Sequence, residues 1–427
     1  MLTRLKNGFK AFWNLQLYWK IFIGMGAGII YALLLGERAM NVAPLGDLFL
    51  KLLKMVIVPL IFFSITSGVA GIGDSRSLGR LGAKTFGYYF MTSILAILIG
   101  LTLTNAIQPG VGTEMDIGVE GFDPSQLQQP TGVGGIFMRM VPANPINAAA
   151  EGNILALIFF SIVLGLAITK LPEPQYDQVN RLFGSLFAAM MKMTHGIIQF
   201  LPFGVFGLIA KAVASTGFEL FRAVAMYMVT IAIGLTIHIF VILPVVFWLF
   251  TRINPIYHYK AMASALATAF STSSSGATLP VTMDCVENNA NVSNKVTSFV
   301  LPLGATINMD GTALYECAGV LFIAQALGFD FTLLQQLIIV ITAFLASVGA
   351  AAIPSAGLVM IFIVLEAVGL GNHPGAALIV GTMLAVDRPL DMFRTMVNIT
   401  SDSIGAVVIA HSEGEDVLPQ ARKKTGR

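Results

Sequence analysis

Long apolar stretches separated by short polar breaks dominate the first half of the chain, at residues 21–35, 55–70, 86–107, 154–168 and 224–250. Singly or with their flanks these are long enough for helices that cross a hydrocarbon core of roughly 30 Å. Six ordinary spans can be drawn, ending near Leu35, Ala70, Ile107, Ile168, Ala214 and Phe250, with a polar break at 170–181 between the fourth and fifth. Beyond residue 250 the pattern changes. Small and polar runs at 271–280, 306–312 and 349–357 interrupt apolar segments, and the final span carries several charges. Non-helical backbone at bilayer depth is tolerated only where protein or a water-filled cavity satisfies its polar groups, so these interruptions point to an interior site. They also repeat. A small-residue break at 273–280 precedes a span with Asn308 and Asp310, and a second at 349–357 precedes one with Asp391 and Asn398. Corresponding interruptions in two halves predict inverted repeats with a site between them. Reading each break as the tip of a hairpin gives an all-α integral membrane fold with eight transmembrane helices and two re-entrant helical hairpins.

Composition agrees with this pattern. Of 427 residues 56% are apolar and 11% charged, more apolar surface than one soluble core can hide. The first span is followed by span after span, so it is expected to be retained and not cleaved. The net charge of +2 matters through its placement. Arg4, Lys6 and Lys10 precede the first span, Arg76, Arg80 and Lys84 follow the second, and Arg422, Lys423 and Lys424 lie near the C-terminus. By the positive-inside rule these segments, and with them both termini, face the cytoplasm. The loop at 110–135 carries Glu114, Asp116, Glu120 and Asp123 without Lys or Arg, which assigns it to the other side. Cys285 and Cys317 have no metal-binding spacing and read as packing residues.

In the last span Asp387, Asp391, Arg394, Asn398 and Asp402 recur at helical spacing and form one polar stripe. Each ionised group at the membrane centre costs about 3 kcal/mol, so the stripe must face partners, water or ligand. Arg394 offers a planar fork to a carboxylate, and Asp391, one turn away, can hold an ammonium group. Mutual neutralisation of the two is the structural alternative. Asn308-Met309-Asp310-Gly311-Thr312 has the oxygens that a hard cation wants from an unwound helix, or else marks a kink. The runs 273–278 and 350–357 are expected to present backbone amides to an anion. Tyr88, Tyr89, Thr92 and Ser93 read from spacing alone as helix packing, and Glu316 as either a proton carrier or a structural acceptor. His195, His238, His258, His373 and His411 share no metal-ligand spacing. The chain has neither a GxSxG elbow nor a Gly-Lys-Ser/Thr phosphate loop, which argues against an ATP-driven pump.

Four motifs occur in order: SSSGATLP (273–280), NMDGTALYE (308–316), AAIPSAG (351–357) and DRPLDMFRTMVNITSD (387–402), after an early Tyr-Tyr-x-x-Thr-Ser at 88–93. Together they resemble the glutamate/aspartate sodium symporters, or dicarboxylate/amino acid:cation symporters, the family of the excitatory amino acid transporters. The resemblance implies a homotrimeric elevator in the plasma membrane of a bacterial or archaeal cell, surrounded by membrane lipids and with no nucleic-acid partner. Residues 1–83 and 110–215 would form a fixed scaffold, 84–109 and 216–413 a transport domain, and 414–427 a cytoplasmic tail, with the second hairpin as gate. It implies no enzymatic activity and no organic cofactor, only Na+ as coupling ion. Arg394 would pair with the side-chain carboxylate of aspartate or glutamate and Asp391 with the amino group. Asn398, Thr312 and Ser275 would take the remaining substrate groups, with Ser274, Thr395, Ile353, Ala356 and Gly357 around them. Sodium would bind at Tyr89, Thr92, Ser93, Asn308 and Asp310, at Asp402 with backbone near Asn398 and Gly304, and at Thr306 with Ser347. This overturns the packing reading of the third span.

Two departures matter. Some prokaryotic members carry an arginine just before the serine run, where this chain has Thr272, and Arg388 in the last span is the candidate to supply that salt bridge. Glu316 stands where animal members have a proton-carrying glutamate, so proton co-transport and potassium counter-transport enter. A proton-coupled symporter of C4-dicarboxylates is the rival within transport, opposed by the ammonium partner that Asp391 offers. An anion channel and an intramembrane aspartyl protease are rivals from other classes.

Overall fold

The computed structural model describes residues 15, 17–71, 79–112, 138, 140–151, 153–349 and 356–419. Every regular element among them is helical. The first helix, α1 (Leu17–Leu35), leads through a 3-10 segment (Gly36–Val42) into α2 (Ala43–Ala70), and α3 spans Gly79–Ile107. A short α4 (Pro145–Ala150) precedes α5 (Ile154–Ile168), α6 (Glu173–Ile198) and α7 (Leu201–Thr216). Next come α8 (Glu219–Ile237), a π-helical turn (His238–Ile242) and α9 (Leu243–Thr251). The remainder is α10 (Pro255–Ala261), α11 (Ala263–Thr272), α12 (Ser275–Asp284), α13 (Asn294–Ile307), α14 (Asp310–Ala326), α15 (Leu333–Gly349), α16 (Ala356–Ala367), α17 (Pro374–Val386) and α18 (Arg388–Ser412).

The six expected span ends fall within two residues of observed helix ends, at 35, 70, 107, 168, 216 and 251. Three helical stretches, Trp19–Ala70, Arg80–Ile107 and Glu219–Thr251, are long and apolar enough to cross a membrane. A fourth would be α6 with α7, bent by 52° between them. Two interruptions are shorter than the sequence suggested. The polar break before α6 is confined to residues 169–172, because Pro174 in the first turn favours a helix start and the polar residues that follow continue that helix. The serine run breaks the chain only at Ser273 and Ser274. Ser273 takes a left-handed φ of 52°, and the Ser274 hydroxyl caps α12 by accepting from Ala277 N at 3.2 Å, so the helix resumes at Ser275 and runs through Pro280. The basic residues Arg4, Lys6, Lys10, Arg76, Arg422, Lys423 and Lys424, the acidic loop from Glu114 to Asp123, and Ile353 lie outside the described residues.

Two packing groups organise the helices. In one, α2 lies against α5, α6 and α7, and α1 crosses α7. Gly24 and Gly28 make that crossing close, since a methyl group on them would lie 2.4 and 2.8 Å from the carbonyl oxygens of Pro202 and Phe206. Small residues at a crossing are how membrane helices gain contact without a hydrophobic driving force. In the other group α3 runs along α14, which also packs on α15, α16 and α18, while α11 pairs with α12 and both lie on α18. The groups meet where α7 touches α17 and α2 touches α15 and α16. Every α14 residue from Asp310 to Ala324 is buried, as is almost all of α18 from Arg394 to Ala410.

Candidate substrate and cation site

A break between two helices creates the site. Helix α13 ends at Ile307, Asn308 is extended (φ −99°), Met309 is non-helical (φ −125°, ψ 62°), and α14 starts at Asp310. Such a break leaves the last carbonyls of one helix and the first amides of the next without intrahelical partners. Helix α18 answers part of that need, because Asn398 Oδ1 accepts from Gly311 N at 2.8 Å. The amide of Asn398 also donates to Thr312 Oγ1 at 3.4 Å. A methyl group at Gly311 would sit 2.8 Å from the Arg394 carbonyl oxygen, so only glycine lets α14 approach α18 this closely.

Around Asp310 the oxygens converge from four elements. Ser93 and Thr92 of α3 donate to its Oδ1 at 2.8 and 3.3 Å, and His238 Nε2, in the π turn after α8, lies 3.0 Å from its Oδ2. Asn308 donates to Ser401 Oγ at 3.0 Å and to Asp402 Oδ1 at 2.9 Å, while Ser401 reaches Thr92 at 3.3 Å. Tyr89 donates to the Val300 carbonyl at 2.8 Å. Gly304 faces both groups: a methyl there would lie 2.5 Å from Asp402 Oδ1 and from Tyr89 Oη. Hydroxyls and amides can turn oxygen lone pairs toward a cation, so this donor set suits a hard ion with oxygen ligands. Among the described residues no three His, Cys, Asp or Glu side chains converge as a metal group. The third expected pair is not brought together by hydrogen bonds: Thr306 is exposed and bonds to Pro302 and Leu303 carbonyls, and buried Ser347 bonds to Phe344.

One turn along α18 lies a cluster with different chemistry. Arg394 Nη2 donates to Asp391 Oδ1 at 2.9 Å and to Asp387 Oδ2 at 3.1 Å, and its guanidinium stacks 3.7 Å from the ring centroid of Tyr315. The Arg394 Nη1 and Nε atoms are buried without a hydrogen-bond partner among the described residues. Arg388 Nη1 reaches Asp391 Oδ2 at 3.4 Å. Thr395 donates to the Asp391 carbonyl at 2.8 Å, and Gly357 at the start of α16 approaches the guanidinium. Ala356 opens α16. Ser274 caps α12 and Ser275 starts it, buried; no hydrogen bond joins Ser275 to the Arg394 cluster. Glu316 is fully buried two turns into α14, and neither carboxyl oxygen has a partner among the described residues.

Sequence reasoning missed His238, Tyr315 and Ser401. A solitary histidine in an apolar span carries no spacing signal, and its approach to Asp310 depends on the π turn. Tyr315 and Ser401 both fall inside motifs already singled out, and helical spacing places Ser401 near Asn398.

A family profile described as the Sodium:dicarboxylate symporter family matches residues 17–412. Among similar proteins is the excitatory amino acid transporter 3 of Mus musculus, 37% identical over 414 residues that cover 85% of this chain and 78% of that protein. The proton/glutamate-aspartate symporter of Escherichia coli (strain K12) is 34% identical over 422 residues, 93% of each chain. The proton/sodium-glutamate symport protein of Geobacillus stearothermophilus is 35% identical over 410 residues, 94% of this chain and 96% of its own.

Proposed function

The chain belongs to the sodium:dicarboxylate symporter family, a multi-pass membrane transporter and not an enzyme, and on that premise we propose that it imports aspartate or glutamate together with sodium ions. The observation that carries this reading is Arg394, a fully buried guanidinium beside Asp387 and Asp391, whose Nη1 and Nε atoms have no hydrogen-bond partner among the described residues. A buried donor left unpaired costs about 1–3 kcal/mol, and a carboxylate arriving on that edge of the fork removes the cost. An α-amino group would then displace part of the Arg394–Asp391 contact and take Asp391. In this reading Asn398 and Thr312 hold the backbone carboxylate, with Ser275 and the start of α16 beside it.

Sodium belongs at the Asp310 and Asp402 oxygens. Asn398 supplies a physical route for coupling, because one side chain holds the amide next to Asp310 and the hydroxyl of Thr312. A cation that orders Asp310 also fixes Gly311, Thr312 and Asn398, which raises substrate affinity, and by reciprocity the substrate raises sodium affinity. Glu316 is the site for a co-transported proton, since a buried charge with no partner is costly. The packing of α3 on α14 and of α11, α12 and α14 on α18, beside the packing of α1, α2 and α5–α7 among themselves, supports a mobile transport domain and a fixed scaffold, with α7 against α17, and α2 against α15 and α16, as the surface between them. Helices α15 and α16 would be the gate and a homotrimer the assembly, with both termini cytoplasmic.

The test is uptake of radiolabelled aspartate, glutamate and succinate into proteoliposomes under a sodium gradient, a proton gradient, or neither. Concentrative uptake of the amino acids under a sodium gradient is the expected result. Succinate uptake driven by protons alone would replace it with the C4-dicarboxylate symporter, and gradient-independent anion flux with a channel.

A further inference from the structure

A cavity away from both clusters opens where three helix ends meet: the start of α3, the end of α9 and the end of α18. It has a volume of about 330 Å³ and is walled by Gly87, Met91, Phe250, Val408 and Ile409, with Lys84 at its edge. Phe250 is 54% exposed and its neighbours Trp248 and Leu249 are exposed as well. The Arg252 guanidinium lies 4.6 Å from the Trp248 ring centroid, a pairing of aromatic and cation typical of the level at which bilayer meets water. Nothing in transport as described above uses these residues.

Among the described residues the charges at the mouth do not balance. Lys84 Nζ donates to Ser412 Oγ at 2.9 Å and to the Ser412 carbonyl at 3.2 Å, and Lys84 and Arg80 both pair with the one carboxylate of Glu413. These bonds, Lys84 first and Arg80 second, hold the half-buried Glu413 carboxyl below its ordinary range. Arg80 is otherwise open to solvent, with 76% of its side chain exposed. Two cations therefore share one anion beside an apolar groove in a protein that lives in lipid. We infer that this groove holds one acyl chain of an anionic phospholipid, whose phosphate takes up the positive charge that Glu413 leaves unmatched on Arg80 and Lys84. A zwitterionic lipid brings its own cation and gains little from such a mouth. The inference needs only that the chain spans a bilayer, so it stands or falls independently of the transported substrate.

The chain has three tryptophans, Trp13, Trp19 and Trp248. Replacing them with Phe and introducing Phe250→Trp gives a protein whose single fluorophore lines the groove. It is reconstituted, full length, in phosphatidylcholine vesicles with a minority of either brominated phosphatidylglycerol or brominated phosphatidylcholine, whose bromines quench indole by contact. The expected result is an excess quenching by the anionic lipid, equivalent to about a fivefold local preference for one net cation near the surface. In the Arg80→Gln/Lys84→Gln background the preference should vanish. Gly87→Leu gives a second test that leaves the charges in place: a methyl at Gly87 meets only open space, so the larger side chain fills the groove without a clash and should reduce quenching by both lipids. Equal quenching by the two lipids, or a preference that survives loss of both cations, would overturn the inference. So would quenching unaffected by Gly87→Leu.

Discussion

The clusters around Asp310 and Arg394 share the α14–α18 contact and differ in charge balance. Around Arg394 two carboxylates, Asp387 and Asp391, face two guanidiniums, Arg388 and Arg394. Around Asp310 the carboxyls of Asp310 and Asp402 meet hydroxyls, an amide and His238, and no Lys or Arg among the described residues bonds to them. A balanced cluster can exchange partners with a molecule that carries charges of both signs, whereas an acidic one calls for added cations. The contrast separates what each region would bind before any substrate is specified.

The largest effect that sharpens this contrast is expected at Arg394. Arg394→Met strips Asp387 of its guanidinium, leaves Asp391 with Arg388 alone, and in the proposed reading takes the fork from the substrate. Loss of charged hydrogen bonds at about 3 kcal/mol predicts a fall in aspartate affinity of roughly 100-fold or more, read by calorimetry. Sodium binding at Asp310 should persist, and unchanged aspartate affinity would remove Arg394 from the substrate role. Next in size is Asp310→Asn, which should weaken the sodium dependence of uptake by about tenfold or more, equivalent to ~1.4 kcal/mol, while the remaining activity at high sodium keeps its substrate preference. Equal sodium titration curves would exclude Asp310 as a ligand.

Gly311→Ala tests whether the clusters are coupled. Its methyl would press on the Arg394 backbone, an overpacking cost of about 1–3 kcal/mol. Sodium and aspartate affinities should drop together, and a loss in only one would break the link through Asn398. Glu316→Gln should leave sodium-driven uptake in place and abolish any acceleration by an inward proton gradient. Retained acceleration would place the proton elsewhere. The smallest effect is expected at Glu413, outside both clusters. Its carboxyl titrates low because Lys84 and Arg80 bond to it, so the contact is present at neutral pH and is lost as pH falls through that lowered value. The contact lies at the surface, with 76% of the Arg80 side chain exposed, so Glu413→Gln should leave thermal stability at neutral pH unchanged within error, and a clear drop would show that the contact holds the helix ends together.

Much of this was legible in residue order. The spacing from Asp387 to Asp402 defined one helical face, and that face is buried. Asn308 to Thr312 announced a broken helix because Asn, Asp and Gly together cannot continue an apolar one cheaply, and the break is confined to two residues. The α3 hydroxyls were ambiguous, since Thr and Ser also serve ordinary helix packing, and only tertiary placement brings Ser93 to Asp310. His238 was invisible, because a π turn shifts helical register in a way that periodicity does not show. The serine run misled in the other direction: a run of small polar residues looks like loop, yet one capping hydroxyl is enough to restart a helix.

Helix α3 also sets an order of assembly. Ser93 is bonded to a residue 217 positions later, and Tyr88 to one 313 positions later. At about 5–20 residues per second, Asp310 is made roughly ten to forty seconds after Ser93. During that interval the third helix waits in the nascent protein with its tyrosine and hydroxyl face lacking native partners. The half-made transporter is therefore the form most exposed to mispairing, and polar substitutions on that face should lower yield during biosynthesis more than they destabilise the finished protein.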